Sequence, residues 1–149
     1  MRFLFMALLA AVAIPAAAGD PPIRPDPALT PGAVLTTDAS TVCRPGYAAS
    51  VRHVAESTKA QVFAEYGIDR AAGRFEIDHL ISLELGGSNE IGNLWPQSYE
   101  SQPWNAHLKD RLEDRLHALV CAGRLALPDA QAALRTDWIA AYGRWLPPD

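Results

Sequence analysis

Three stretches of the chain place apolar residues at the three- and four-residue spacing of a helix. They predict helices over residues 57–66, over residues 104–122 and from Pro128 onward. The middle stretch puts one apolar face together from Leu108, Leu112, Leu116, Leu119 and Val120. Gly67 stands where a left-handed C-terminal cap would end the first helix, and the second helix is expected to end near Gly123.

A different pattern separates the first two predicted helices. Residues 74–78 alternate polar and apolar side chains, as a half-buried strand does. Gly86 and Gly87 mark a loop, and the segment that begins with residues 93–95 can return as a second short strand. The sequence therefore predicts an α+β protein in which a hairpin with a long connection precedes a helix, inside a small, mainly helical single domain.

The N-terminus has the pattern of a secretory signal peptide over residues 1–18. Arg2 precedes an apolar run, and Ala16, Ala17 and Ala18 supply a small-residue cleavage site. The run is shorter than the roughly 20 residues of a transmembrane helix, although an uncleaved N-terminal anchor is the alternative. We predict cleavage after Ala18 and a secreted or periplasmic protein with no stable membrane association afterwards.

Residues 19–36 contain five prolines and little apolar periodicity, which predicts a flexible, extended tether ahead of a domain at residues 37–149. Removing residues 1–18 from the 149-residue chain leaves 131 residues, the size of one domain. It also removes Arg2, so 12 basic residues face 17 acidic ones. This acidity disfavours non-specific nucleic-acid binding, which would have to depend on local charge and on a metal ion.

The chain contains two cysteines, Cys43 and Cys121. In an oxidising compartment such a pair tends to form a disulfide. Two free thiols or a zinc-binding pair are the alternatives, but the absence of a CxxC motif disfavours a zinc ribbon. The predicted bridge would tie the start of the domain to the helix after the hairpin.

Asp78 and His79 are the chemically distinctive pair at the end of the first predicted strand. A carboxylate is a hard oxygen ligand suited to Mg²⁺ or Mn²⁺, and an imidazole is a base that titrates near neutral pH. Together they could hold a cation and deprotonate a water molecule. The dipeptide alone is a weak signal.

The surrounding residues add a longer pattern of about 35 residues. After the Asp-His pair come Gly86-Gly87, then Asn93-Leu94-Trp95, then Asn105-x-x-x-Lys109-Asp110. Asn93 follows His79 by 14 residues, and Asn105 follows Asn93 by 12. In order and spacing this stretch resembles the HNH branch of the His-Me finger nucleases. It departs from many of them in having no paired CxxC zinc sites.

The resemblance implies a ββα-metal finger, with a core at about residues 74–122, that grips one divalent cation, Mg²⁺ or Mn²⁺. By matching positions, His79 is the general base and Asp78 is one metal ligand. Asn93 orients the histidine and braces the hairpin. Asn105 matches the second metal ligand, with His107 as the alternative.

Lys109 matches a lysine with a phosphate-binding or a structural role. The implied function is a secreted, metal-dependent endonuclease that cleaves DNA, or RNA, with little sequence specificity, since no recognition helix or basic arm stands out. Net acidity favours an alternative, a catalytically inactive HNH-like binding or scaffold module. A metal-dependent phosphodiesterase for small substrates is a third interpretation.

Overall fold

A computed structural model describes residues 21–146. The predicted signal peptide and its cleavage site lie outside the described residues. Within the described range, no helix combines the length and the apolar character needed to cross a bilayer.

Helices and one small sheet make up the described chain. In order these are α1 (Ala39–Val42), α2 (Tyr47–Val51), α3 (Glu56–Glu65), β1 (Phe75–His79), β2 (Leu94–Ser98), α4 (Ala106–Cys121) and α5 (Leu127–Trp145). The predicted α+β class is confirmed at this level, and the three predicted helices correspond to α3, α4 and α5. Asn105 caps α4, so that helix begins one residue after a side chain that accepts the N–H of Leu108.

Strands β1 and β2 form an antiparallel pair in which Asp78 lies opposite Trp95 and His79 opposite Leu94. The connection between them is not an open loop but holds two 3₁₀ turns, Leu83–Leu85 and Ile91–Asn93. This compact path requires glycine at Gly87, because a Cβ there would lie 1.7 Å from the carbonyl oxygen of Ile81.

The hydrophobic core lies between α4 and α5. The predicted apolar face of α4 supplies Leu112, Leu116 and Val120, which pack in one cluster with Leu134 and Trp138 of α5. Because α1, α2 and the first 3₁₀ turn also contribute to this cluster, the helices form a base on which the hairpin connection rests.

A disulfide joins Cys43 to Cys121, with 5.5 Å between their Cα atoms, and confirms the predicted pairing. It ties the end of α1 to the last residue of α4. The bridge closes 78 residues of chain, which in the chain-entropy model stabilises the fold by about 4 kcal/mol.

Residues 21–36 are not a flexible tether, and that prediction was wrong. The indole of Trp138 donates to the carbonyl of Ile23 at 3.0 Å, and the buried hydroxyl of Thr30 donates to the carbonyl of Leu94 at 2.8 Å. Further on, Val34 pairs with Gly87 as an antiparallel bridge. Proline restricts the unfolded chain, so ordering an extended proline-rich segment against the domain costs less entropy than ordering a glycine-rich one.

Candidate active site at the end of the hairpin

The two faces of β1 carry different chemistry. Alternation along the strand places Phe75, Ile77 and His79 on one face and Glu76 and Asp78 on the other. The first three line an open cleft of about 470 Å³ between the strand and α3, and Glu76 also contributes to the wall of this cleft. Glu76 accepts from the Tyr99 hydroxyl at 2.6 Å, whereas Asp78 contacts Lys109 of α4.

His79 is 5% exposed, and its ring is held by an asparagine. Its Nε2 lies 3.0 Å from Oδ1 of Asn89, whose amide nitrogen donates to the carbonyl of Val51 at 2.7 Å. Because the Val51 carbonyl can only accept, the asparagine presents its oxygen to the histidine, and Nε2 must donate. The neutral ring then carries its basic lone pair on Nδ1.

Burial lowers the pKa of His79 below the ordinary histidine value. The hydrogen bond with Asn89 and the charge of Asp78 oppose this effect, whereas the charges of Arg52 and Lys109 add to it. The imidazole is therefore neutral near pH 7, which is the form that can accept a proton.

Asp78 is already paired within the protein. Its Oδ2 accepts the indole N–H of Trp95 at 2.9 Å and lies 2.7 Å from the ammonium nitrogen of Lys109. The same ammonium donates to the backbone carbonyl of His79 at 2.8 Å and to the carboxylate of Glu113. An ammonium has three N–H groups, so these partners use all of them.

Lys109 is 1% exposed, and its position corrects the predicted phosphate contact. Of the two roles that the sequence left open, the structure gives it the structural one. Burial acts to lower the pKa of Lys109, but the carboxylates of Asp78 and Glu113 outweigh it and raise the pKa above its ordinary value. Lys109 therefore stays charged at the junction of β1 and α4.

Carboxylates outnumber cations on this side of the strand. Burial, together with the charges of neighbouring acids, raises the pKa of each member of a group consisting of Glu76, Glu84, Asp110 and Glu113. Lys109 is the cation that contacts this group directly, through Glu113. Additional positive charge would consequently be stabilising here.

Asn105 and His107 occupy different environments. Asn105 accepts the N–H of Leu108 through Oδ1 at 3.3 Å and donates to the carbonyl of Ser101 at 3.3 Å. The exposed His107 packs its ring on that of Tyr99, with 5.0 Å between the ring centroids. The choice between the two as a metal ligand stays a prediction.

The oxygen donors of Asp78 and Asn105 are of the chemical type that Mg²⁺ binds. Both hydrogen bonds to Asp78 fall on Oδ2, so Oδ1 remains for a metal, and the Asn105 oxygen has one long hydrogen bond. Mg²⁺ is commonly held by one or two protein oxygens and keeps several waters, so a sparse donor set suits it.

A second group of ligand atoms lies elsewhere. Within residues 21–146, the one set of three histidine, cysteine or acidic ligand atoms lying within 4.8 Å of one another is formed by Cys43, His117 and Cys121. The disulfide bonds the two sulfurs to each other, whereas a cysteine must be a thiolate to bind a metal. This group is therefore not a metal site in the oxidised protein.

Asn93 is fully buried and braces the connection between the strands. Its oxygen accepts the N–H of Ile81 at 3.0 Å, and its nitrogen donates to the carbonyls of Ile81 at 3.0 Å and Ser88 at 2.9 Å. These bonds reach the loop and not the His79 ring. Since Ser88 immediately precedes Asn89, Asn93 acts on the histidine through the loop that carries Asn89.

Asn89 is the site residue that the sequence did not reveal. It follows Gly86-Gly87-Ser88, and such composition indicates only a loop. Its contact with His79 depends on the path of that loop.

Comparisons with family models, with curated proteins and with solved structures find no match to this chain. The function is therefore inferred from the residues and their geometry.

Proposed function

We propose that the protein is a secreted, divalent-metal-dependent HNH-type endonuclease that hydrolyses phosphodiester bonds of DNA, or RNA, with little sequence specificity. The observation that carries the proposal is the hydrogen bond from His79 to Asn89. It leaves Nδ1 as a free base on a ring that burial keeps neutral. Export is supported by the signal-like N-terminus and by the disulfide.

His79 takes the proton from the attacking water in this proposal. A phosphodiester is anionic and repels hydroxide, so a water deprotonated in place is a better nucleophile than hydroxide from solution. The Asn89 oxygen fixes the ring and stabilises the imidazolium that forms, because its partner Nε2 is already the donor.

Asp78 and Asn105 are the proposed metal ligands, with His107 as the alternative to Asn105. When bound, the cation would supply positive charge to the scissile phosphate and to the leaving oxygen. Trp95 and Lys109 hold Oδ2 of Asp78 and so orient its other oxygen. Lys109 acts in this site by positioning Asp78 and does not touch the substrate.

The test is plasmid nicking by the processed protein with Mg²⁺ or Mn²⁺, beside His79→Ala. Loss of the general base should lower the rate by about 10² to 10⁴. His117→Ala is the matched control, since His117 lies on α4 beside the disulfide and contacts the Val42 carbonyl. If wild type and His79→Ala are equally inert across metals and salt concentrations, the enzyme proposal is wrong.

The same assay separates the two ligand alternatives. Asp78→Ala and Asn105→Ala should raise the metal concentration needed for half-maximal rate, and His107→Ala should leave it unchanged. The reverse result for the last two variants would assign the ligand to His107. Cleavage of a model diester without plasmid nicking would indicate a small-substrate phosphodiesterase.

One observation favours the inactive binding or scaffold module as a second candidate. The Lys109 ammonium already pairs with Asp78, so this carboxylate has a cation partner without a metal. That candidate predicts nucleic-acid or protein binding that does not respond to Mg²⁺.

A further inference from the structure

The cleft on the His79 face of β1 is lined by basic side chains from outside the hairpin. Arg52 comes from the link between α2 and α3, Lys59 from the first turns of α3, and Arg70 from the turn before β1. Its apolar lining includes Phe75 and Ile77. The cleft therefore combines apolar surface with cationic side chains.

Cations outnumber acids around this cleft, in contrast to the chain as a whole. Lys59 and Arg70 share one partner, the exposed Glu56, at 2.6 Å and 3.4 Å. Arg52 forms no ion pair with any acidic side chain in the described range. Glu76 is the acid in the cleft wall, and the Tyr99 hydroxyl already donates to one of its oxygens.

We propose that this cleft binds the phosphodiester backbone of the nucleic-acid strand next to the scissile bond, with Arg52, Lys59 and Arg70 as the phosphate contacts. The proposal rests on the proposed function, because it takes the His79 end of the cleft as the site of cleavage. A volume of about 470 Å³ is within the range of sites that hold a nucleotide-sized group.

The physical reason is charge placed beside apolar surface. Basic side chains neutralise phosphates and release counterions, while apolar and aromatic surface receives sugars and bases without sequence preference. Such a cleft would let a protein with a net negative charge hold a polyanion locally. It would also align the strand so that its next phosphate reaches His79.

Binding can be measured without turnover by working in the His79→Ala protein with EDTA. The probe is a fluorescein-labelled single-stranded DNA oligonucleotide, followed by anisotropy across a series of salt concentrations. Each of Arg52→Gln, Lys59→Gln and Arg70→Gln should weaken binding roughly three- to tenfold. Each should also reduce the slope of log K against log salt by about 0.7 for every phosphate that the protein no longer neutralises.

Arg124→Gln is the matched control, because Arg124 is exposed in the turn between α4 and α5 and does not line the cleft. It removes the same charge and should leave the slope unchanged. Glu56→Gln tests the opposite sign. It frees Lys59 and Arg70 from their shared partner and should tighten binding.

If the three cleft variants behave like Arg124→Gln, or if the oligonucleotide does not bind, the inference is wrong. It is also wrong if Glu56→Gln weakens binding. Plasmid nicking by the unmodified protein decides the proposed function separately. Nicking with unchanged slopes would reject the cleft alone, whereas reduced slopes without nicking would support the cleft and reject the enzyme.

Discussion

The two faces of β1 differ in the charged groups that lie next to them. On one face, here called the open face, the buried His79 lines a cleft whose charged groups are mostly cations. On the other, here called the closed face, Asp78 contacts the ammonium of Lys109 and the indole of Trp95. Asp78 and His79, although adjacent in sequence, therefore lie next to different sets of charged groups.

This separation explains how a histidine next to an aspartate can have a pKa below the ordinary histidine value. A free carboxylate beside an imidazole favours the imidazolium and raises its pKa. Lys109 offsets that charge, and its own charge adds to the lowering of the His79 pKa that burial causes. The closed face thus helps to keep the His79 ring in the neutral form that the proposed mechanism requires.

Lys109→Met should produce the largest effect, because it leaves the carboxylates of Asp78 and Glu113 buried without their cation. We expect the free energy of unfolding to fall by about 3 to 5 kcal/mol, measured by urea denaturation. Lys59→Met removes a half-buried lysine that pairs with the exposed Glu56 and should change stability by less than about 1 kcal/mol. Lys109→Met as stable as Lys59→Met, but with weaker substrate binding than the wild type, would show that Lys109 contacts a phosphate instead.

Asn89→Asp should change the pH dependence of the reaction rate. In the wild type, the acid limb of the rate profile should lie below the ordinary histidine pKa of 6.5, because the lowered pKa keeps the base unprotonated to lower pH. A carboxylate at Nε2 stabilises the imidazolium and should move that limb upward by about 1 to 3 pH units. The variant then loses activity as the pH falls through this raised pKa.

Asn89→Ala is the control for that shift, since it removes the amide without adding charge. It should slow the reaction through loss of ring orientation but should not move the acid limb upward. An acid limb in Asn89→Asp at or below the wild-type position would contradict the assignment of Nε2 as the donor.

Tyr99→Phe should have the smallest effect and tests the rim of the closed face. It removes the hydroxyl that donates to Glu76 at 2.6 Å, and because this carboxylate is partly exposed we expect a loss of about 1 kcal/mol. Tyr142→Phe is the matched control on α5 and should change the unfolding free energy by less than about 0.5 kcal/mol. A loss no greater than in the control would mean that water replaces the hydroxyl at Glu76.

Local pattern predicted the elements well because they depend on local spacing. The strand at residues 74–78, the start of a helix near Asn105 and the Cys43–Cys121 pairing each follow from residue type and position. The burial of Lys109 could also have been predicted. It lies three and seven residues before Leu112 and Leu116, so helical spacing already places it on the buried face of α4.

Two features could not be predicted from the sequence, for a physical reason. Residues 21–36 have the composition of a linker, and their hydrogen bonds go to partners far along the chain, such as Trp138. The contact of Asn89 with His79 is set by the compact path of the hairpin connection. Neither set of contacts produces a periodic pattern in the sequence.

The packed N-terminal segment decides where the protein can be shortened or joined to another one. Residues 21–36 reach α5 through Ile23 and reach the hairpin connection through Val34. A fragment beginning at residue 37 would leave the indole N–H of Trp138 without its acceptor and would uncover the edge at Gly87. An affinity tag placed ahead of residue 21 keeps both contacts, so a fragment made for expression should include the chain from residue 21 onward.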